Sequence, residues 1–164
     1  MGMDIRDVAY RYLAPRPRTE KEVRKRLADR GFGSEEIEPV IAELKAGRYI
    51  DDAAYGCSYL IYAFRKERSL SRARYEMKEK GLSAEAIQQA IFDYEDEFDV
   101  DIEAEEEKRA LAASEKFISQ KGSGRKQIAA LGRRLNGLGY STGIIYRMME
   151  RFRSAEDDEE AMYE

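Results

Sequence analysis

Three glycines in this 164-residue chain, Gly31, Gly81 and Gly139, sit inside the same hydrophobic bracket. Four residues before each stands Leu27, Met77 or Leu135, and eight before stands Val23, Ala73 or Leu131. Phe32, Leu82 or Tyr140 follows directly, and Ile37, Ile87 or Ile145 lies six residues on. Nine and ten after come Val40 and Ile41, Ala90 and Ile91, Met148 and Met149; thirteen after come Leu44, Tyr94 and Phe152. The three copies align without a gap from thirteen residues before the glycine to thirteen after. At 43% hydrophobic composition, chance would make only about two of those columns apolar in all three copies, and seven are.

The spacing dictates the local fold. Apolar residues eight and four before the glycine form one stripe of a helix. Those six, nine, ten and thirteen after it follow the i, i+3, i+4, i+7 rule of a second helix. The glycine stands where the first helix must stop, since it takes the left-handed backbone of a C-cap without a Cβ clash. Ser34, Ser83 and Ser141 are then placed to N-cap the following helix. Thr19 and Glu22 have capping-box spacing.

Each copy also has a helix upstream: about Asp4 to Ala14, Asp52 to Lys66, and Ile102 to Gln120. The first carries Ile5, Val8, Ala9, Tyr12 and Leu13 on one face. The second is rich in aromatics, with Tyr55, Tyr59, Tyr62 and Phe64 expected in packing. The third carries Ala110, Leu111, Ser114, Phe117 and Ile118. No segment shows sustained period-two alternation of β-branched residues. The predicted fold is all-α, three tandem three-helix repeats forming an elongated, curved molecule. The repeats are 1–50, 51–98 and 99–153, followed by an acidic disordered tail over 154–164. A 50-residue bundle alone buries little surface, so neighbouring units are expected to pack on one another. Pro15 and Pro17 separate the first two helices. Pro39 either delays or bends the helix expected from Ser34.

Charged residues make up 38% of the chain and mean hydropathy is −0.70, so the helices need wide polar faces. No apolar run spans a membrane, and Asp4, Arg6 and Asp7 interrupt any secretory signal. The single cysteine, Cys57, excludes an internal disulfide and is expected as a small buried hydrophobe in a reducing, cytoplasmic setting.

The net charge of −4 conceals segregation. Residues 1–80 hold 18 basic against 14 acidic side chains, 81–120 hold 3 against 12, and 121–153 hold 8 against 1. The cations lead into the middle helix of each copy. The candidate binding surface is Arg16, Arg18, Lys21, Arg24 and Lys25; then Arg65, Lys66, Arg68, Arg72 and Arg74; then Lys126, Arg133 and Arg134. Thirteen residues before the glycine all three copies are basic, at Arg18, Arg68 and Lys126. Stacked units would join these blocks into one positive stripe suited to a polyanion or an acidic groove on a protein filament. The acidic stretch Asp93 to Glu107 either bends the chain or continues as a solvated helix.

No catalytic set emerges. The chain has no histidine, which removes the commonest acid–base catalyst and metal ligand. Gly122-Ser123-Gly124-Arg125-Lys126 lacks P-loop spacing and follows a helix, so a hinge is expected there. Asp51 and Asp52 precede a helix, where they are expected to cap it. No cofactor and no metal are expected.

Tyr49-Ile50-Asp51-Asp52 with Tyr55, the run from Arg18 to Leu27, Gly31-Phe32, and the later copies at Gly81 and Gly139 together resemble the bacterial RecX regulatory family. The resemblance covers about residues 4–153 and is most specific over 10–56. It implies tandem three-helix repeats and a non-enzymatic role. By resemblance the partner is RecA, bound in the groove of its filament on single-stranded DNA, with inhibition of ATP hydrolysis, strand exchange and coprotease action. The implied form is a monomer, with no membrane partner and with contact to the DNA backbone. The dense acidic stretch and the acidic tail depart from the family pattern. The rival is a sequence-specific, helix-turn-helix-like DNA-binding regulator. Glu35, Glu36, Glu38 and Glu43, and Glu85, Asp93 and Glu95, would face phosphates badly on the third helices. Only Arg147, Arg151 and Arg153 suit that role.

Overall fold

A computed structural model describes residues 2–163, with the side chains of 154–161 outside the description. The acidic tail expected to be disordered over 154–164 instead has a helical backbone as far as Tyr163, as the end of the last helix, and Glu164 lies outside the described residues. The described residues form α-helices and turns without a strand. In chain order the helices are α1 (Ile5–Leu13), α2 (Glu20–Asp29), α3 (Ser34–Ala46), α4 (Asp52–Arg65), α5 (Leu70–Glu79), α6 (Ala84–Phe98), α7 (Glu106–Lys121), α8 (Arg125–Gly137) and α9 (Thr142–Tyr163).

The repeated glycine does what the spacing demands. Gly31, Gly81 and Gly139 take φ of 91°, 94° and 92°. In each copy the residue after the glycine donates to the carbonyl five residues back: Phe32 to Leu27 at 3.2 Å, Leu82 to Met77 at 3.1 Å, Tyr140 to Leu135 at 3.1 Å. The glycine amide closes the inner bond, to Ala28, Lys78 or Asn136. This double bond is the Schellman C-cap, whose hydrophobic contact joins the two positions that the sequence repeats four before and one after the glycine. Leu27, Met77 and Leu135 are fully buried, as are Val23, Ala73 and Leu131.

The caps divide. Ser83 accepts from the Ala86 amide at 3.1 Å and Ser141 from Ile144 at 3.3 Å, as expected. Ser34 does not cap: Gly33 is the N-cap of α3, and its amide donates to Glu36 at 3.3 Å. Pro39 therefore lies inside α3, its missing N–H leaving one carbonyl of the first turn without an intrahelical partner. Thr19 and Glu22 close a full capping box at 3.2 and 3.1 Å. The acidic stretch neither continues as one helix nor starts α7 at Ile102. The α6 helix ends at Phe98, Asp99 takes φ 50°, and α7 begins at Glu106. Ile102 is buried in that turn.

The chain groups into two compact units. One is Met1–Leu60 with Arg74–Phe98; the other is Ile61–Ala73 with Asp99–Glu164. The α1–α3 core of the first unit is Val8, Ala9, Val23, Leu27, Ile37 and their neighbours. The second unit centres on Ala110, Ala113, Leu131, Leu135, Leu138 and Met148. On α4 the aromatics are not the buried face. Gly56, Leu60 and Ala63 are buried, while Tyr55, Tyr59 and Phe64 are half-buried and Tyr62 is exposed. Gly56 lets α4 approach α6: a Cβ there would stand 2.7 Å from that of Ala90. Cys57 is half-buried rather than buried, with Sγ 3.9 Å from Glu97 Oε2. Burial and that carboxylate push its thiol pKa up, which disfavours the thiolate.

Candidate polyanion-binding surface

The basic residues surround the start of each middle helix, and the structure explains first how that start is held. In the first unit the Thr19 hydroxyl, fully buried, donates to the Lys80 carbonyl at 3.1 Å, and the α2 amide of Glu20 donates to Asp52 at 3.0 Å. In the second unit the pattern repeats. The amide of buried Ser69 donates to the Leu138 carbonyl at 2.9 Å, and the α5 amide of Leu70 reaches the Glu106 carboxylate at 3.2 Å. Each of these middle-helix N-termini is thus sealed by a hydroxyl of its own copy and a carboxylate that opens the next. The C-terminal glycine of the next copy lies alongside. A Cβ on Gly81 would stand 2.6 Å from Lys21 Cβ, and one on Gly139 would stand 2.6 Å from Ser69 Oγ and Arg72 Cβ. Asp51 caps α4 by accepting from Ala54 at 3.0 Å, while Asp52 serves the neighbouring helix instead. Burial raises the Asp52 carboxyl pKa, against the lowering effect of the hydrogen bond from the Glu20 amide.

Several of the expected surface cations are ion-paired within the chain while keeping exposed side-chain area. Arg24 lies between Glu20, at 3.3 Å, and Glu38, which it grips through two nitrogens. The Glu38 hydrogen bond raises the Arg24 pKa, and the same bond lowers that of Glu38. Lys45 pairs with Glu20 at 2.7 Å and holds its carboxyl below the usual range. Lys25 pairs with Asp29 at 2.7 Å, and Arg16 lies 3.9 Å from Glu22. Lys21 is exposed with its aliphatic stem against Gly81. In the second unit Arg72 donates to the Gly137 carbonyl at 2.8 Å. Arg134 and Lys116 both reach Glu67, at 3.4 and 3.1 Å. Arg65, Arg74, Lys126 and Arg133 are exposed.

The basic column thirteen residues before the glycine has a local meaning in two copies. Arg18 lies over the Tyr12 ring at 4.2 Å and Arg68 over Tyr62 at 5.2 Å, the same register position in each copy. Lys66 also stands 5.9 Å from the Tyr62 ring. The third copy has Gln120 at the ring position, so Lys126 has no counterpart ring there.

Sequence reasoning missed one grouping. Arg11, Arg18, Arg26 and Arg30 line one cleft around Tyr12, a cavity of about 460 Å³ with no carboxylate in its wall. Arg11 belongs to α1 and Arg26 to α2, so only the packed bundle brings them together. A visible signal existed. At the same register positions the second copy has Ile61, Glu76 and Lys80, and the third has Ser119, Arg134 and Leu138. The grouping is therefore peculiar to the first copy. On α9, Arg147 pairs with Glu107 at 2.6 Å and Arg153 with Glu150 at 2.9 Å, which withdraws charge from a would-be recognition helix. Among the described residues no group of three or more metal-ligating side chains is placed to hold an ion. Among them, too, no helix is long and apolar enough to cross a membrane.

Residues 6–44 match the family model described as RecX, first three-helix domain. The chain is 30% identical over 85 residues to a regulatory protein RecX of Prosthecochloris aestuarii, covering 51% of this chain and 56% of the relative. It is 33% identical over 95 residues to regulatory protein RecX of Escherichia coli, covering 52% and 57%. The match to that of Geobacillus thermodenitrificans is 33% over 86 residues, covering 51% and 31%. The chain thus spans about half the length, or less, of the curated relatives it matches. The fold is that of a RecX crystal structure from Lactobacillus salivarius, with TM-score 0.71 and 20% identity over 91% of this chain and 94% of that one. A second RecX crystal structure gives TM-score 0.68 and 22% identity over 90% and 74%.

Proposed function

We propose, on its likeness to the RecX regulatory family, that this chain is a non-enzymatic modulator of the recombinase RecA. It acts in the cytoplasm on the RecA filament formed on single-stranded DNA, lies in the filament groove, and restrains ATP hydrolysis, strand exchange and coprotease action. The observation that carries this is the match of residues 6–44 to the first three-helix domain of RecX. Supporting it are exposed cations on all three middle helices or their approaches, among them Arg65, Arg74, Lys126 and Arg133. Many modest contacts to a repeating filament add up through multivalency, so no single cation needs to dominate.

The test is retention of the chain by RecA, with and without single-stranded DNA and a non-hydrolysed nucleotide, alongside inhibition of the DNA-dependent ATPase. Retention only by the assembled filament, with inhibition, is the expected result. Charge reversal at Arg74, Lys126 and Arg133 together should abolish inhibition while leaving the helical circular dichroism intact. Inhibition that survives removes these residues from the surface. A strong preference for one duplex sequence over others would favour a helix-turn-helix regulator instead.

A further inference from the structure

The cleft around Tyr12 has a composition that structural duty does not explain. Four arginines, Arg11, Arg18, Arg26 and Arg30, line about 460 Å³ without a carboxylate in the wall. None of the four is ion-paired with a carboxylate among the described residues. Elsewhere in the same unit arginine does find an acid, as Arg24 does with Glu20 and Glu38, or Arg6 with Glu43 at 2.9 Å. Four like charges at close quarters repel, and the cost is recovered when an anion enters. Two are fixed in place: Arg18 donates to the Tyr12 carbonyl at 3.1 Å and lies over its ring, and Arg26 stands 5.4 Å from the same ring. Arg30 reaches Met3 Sδ at 4.0 Å. The ring thus acts as a platform for cations, which leaves fewer degrees of freedom to lose on binding.

We propose that this cleft is a phosphate-binding site that takes the backbone of single-stranded nucleic acid without reading its sequence. The inference deepens the proposed function and rests on it for the identity of the polyanion. A guanidinium fork fits phosphate bidentately. Apart from the Tyr12 hydroxyl, the wall offers no neutral polar side chain to select a base or a peptide group. Recognition by charge alone is the signature of backbone contact.

The experiment is fluorescence anisotropy of a labelled oligo(dT) with the full chain at several salt concentrations. The same preparations are assayed for inhibition of the RecA ATPase. The variant is Arg11→Ala/Arg26→Ala/Arg30→Ala, with the matching triple lysine variant as the charge-keeping control. All three side chains are exposed, so the helical circular dichroism should hold; Arg18 is left to secure the end of α1. The alanine variant should lose about tenfold or more in oligo(dT) affinity at low salt. Three lost phosphate contacts lower the log–log salt slope by about 2. The lysine variant should keep most of both. An alanine variant with unchanged affinity and slope overturns the proposal. So does one that binds oligo(dT) normally yet no longer inhibits RecA, because the cleft would then meet carboxylates of a protein. If the wild-type chain binds oligo(dT) through these arginines but has no effect on RecA, the phosphate site stands and the proposed function fails.

Discussion

The hydroxyl of Tyr140 donates to the backbone carbonyl of Glu67 at 2.8 Å, tying the residue after the third repeated glycine to the turn before α5. Glu67 is itself left-handed, at φ 65°, and closes the Schellman end of α4 through Arg68, whose amide donates to Ala63 at 3.0 Å. A non-glycine residue in that region is strained. Its carboxylate meets Lys116 and Arg134, and its carbonyl meets Tyr140. Tyr140→Phe would leave that carbonyl without its phenol donor and should cost about 1–2 kcal/mol, read by urea denaturation.

The same phenol sets an alkaline limit. Burial raises the Tyr140 pKa well above the ordinary phenol range. A folded-state pKa above the unfolded one means the folded chain holds the proton more tightly. The contribution is full below about pH 10, the unfolded value, and is lost as pH rises toward the folded one. The stability of wild type should therefore converge on that of Tyr140→Phe as pH climbs past 10. Parallel stability curves across that range would refute the assignment.

The three glycines should not be equivalent. A Cβ on Gly31 meets nothing within 4 Å, so Gly31→Ala carries only the left-handed penalty of about 1–2 kcal/mol. Gly81 and Gly139 have that penalty and also face Lys21, or Ser69 and Arg72. Overpacking adds about 1–3 kcal/mol at each. Thermal melts of the three alanine variants should rank Gly31 as the mildest.

Sealing of the middle helices is separable from their charge. Ser69→Ala removes the hydroxyl that accepts from the Arg72 amide at 3.0 Å, and should cost about 1 kcal/mol. Arg24→Ala removes one part-buried and one exposed ion pair and should cost less than Ser69→Ala, with the loss shrinking in high salt. If Arg24→Ala lowers RecA inhibition more than loss of Arg74 does, internal pairing does not withdraw Arg24 from the binding surface.

The helical plan was legible because the periodicity and the C-cap share one cause. Leu27 and Phe32 repeat as Met77 and Leu82 because the Schellman geometry presses those two positions together. Ser34 misled because a glycine directly before it served as the cap, with Glu36 supplying the oxygen. Tyr55 and Tyr59 are only half-buried: hydrophobic content does not state which face of α4 is innermost, whereas the tight approach at Gly56 does. The pairing of Arg24 was not legible because its partner Glu38 lies on the next helix. Arg11, Arg26 and Arg30 escaped for the converse reason: their grouping exists only after α1 and α2 pack, and a rule based on what recurs passes over what a single copy does alone.

The seal that Thr19 makes through its hydroxyl, and Ser69 through its amide, with the following copy's helix end has two unlike halves, a plug and a socket. The plug is a capping side chain; the socket is a bare glycine backbone with an acid beside it. A bundle grafted into the middle of such a chain must bring both halves in register, the hydroxyl twelve residues ahead of its own glycine, as Thr19 stands to Gly31 and Ser69 to Gly81. Gln127 breaks that rule in the third copy, so this bundle would serve as a receiver and not as a donor in any rearranged array.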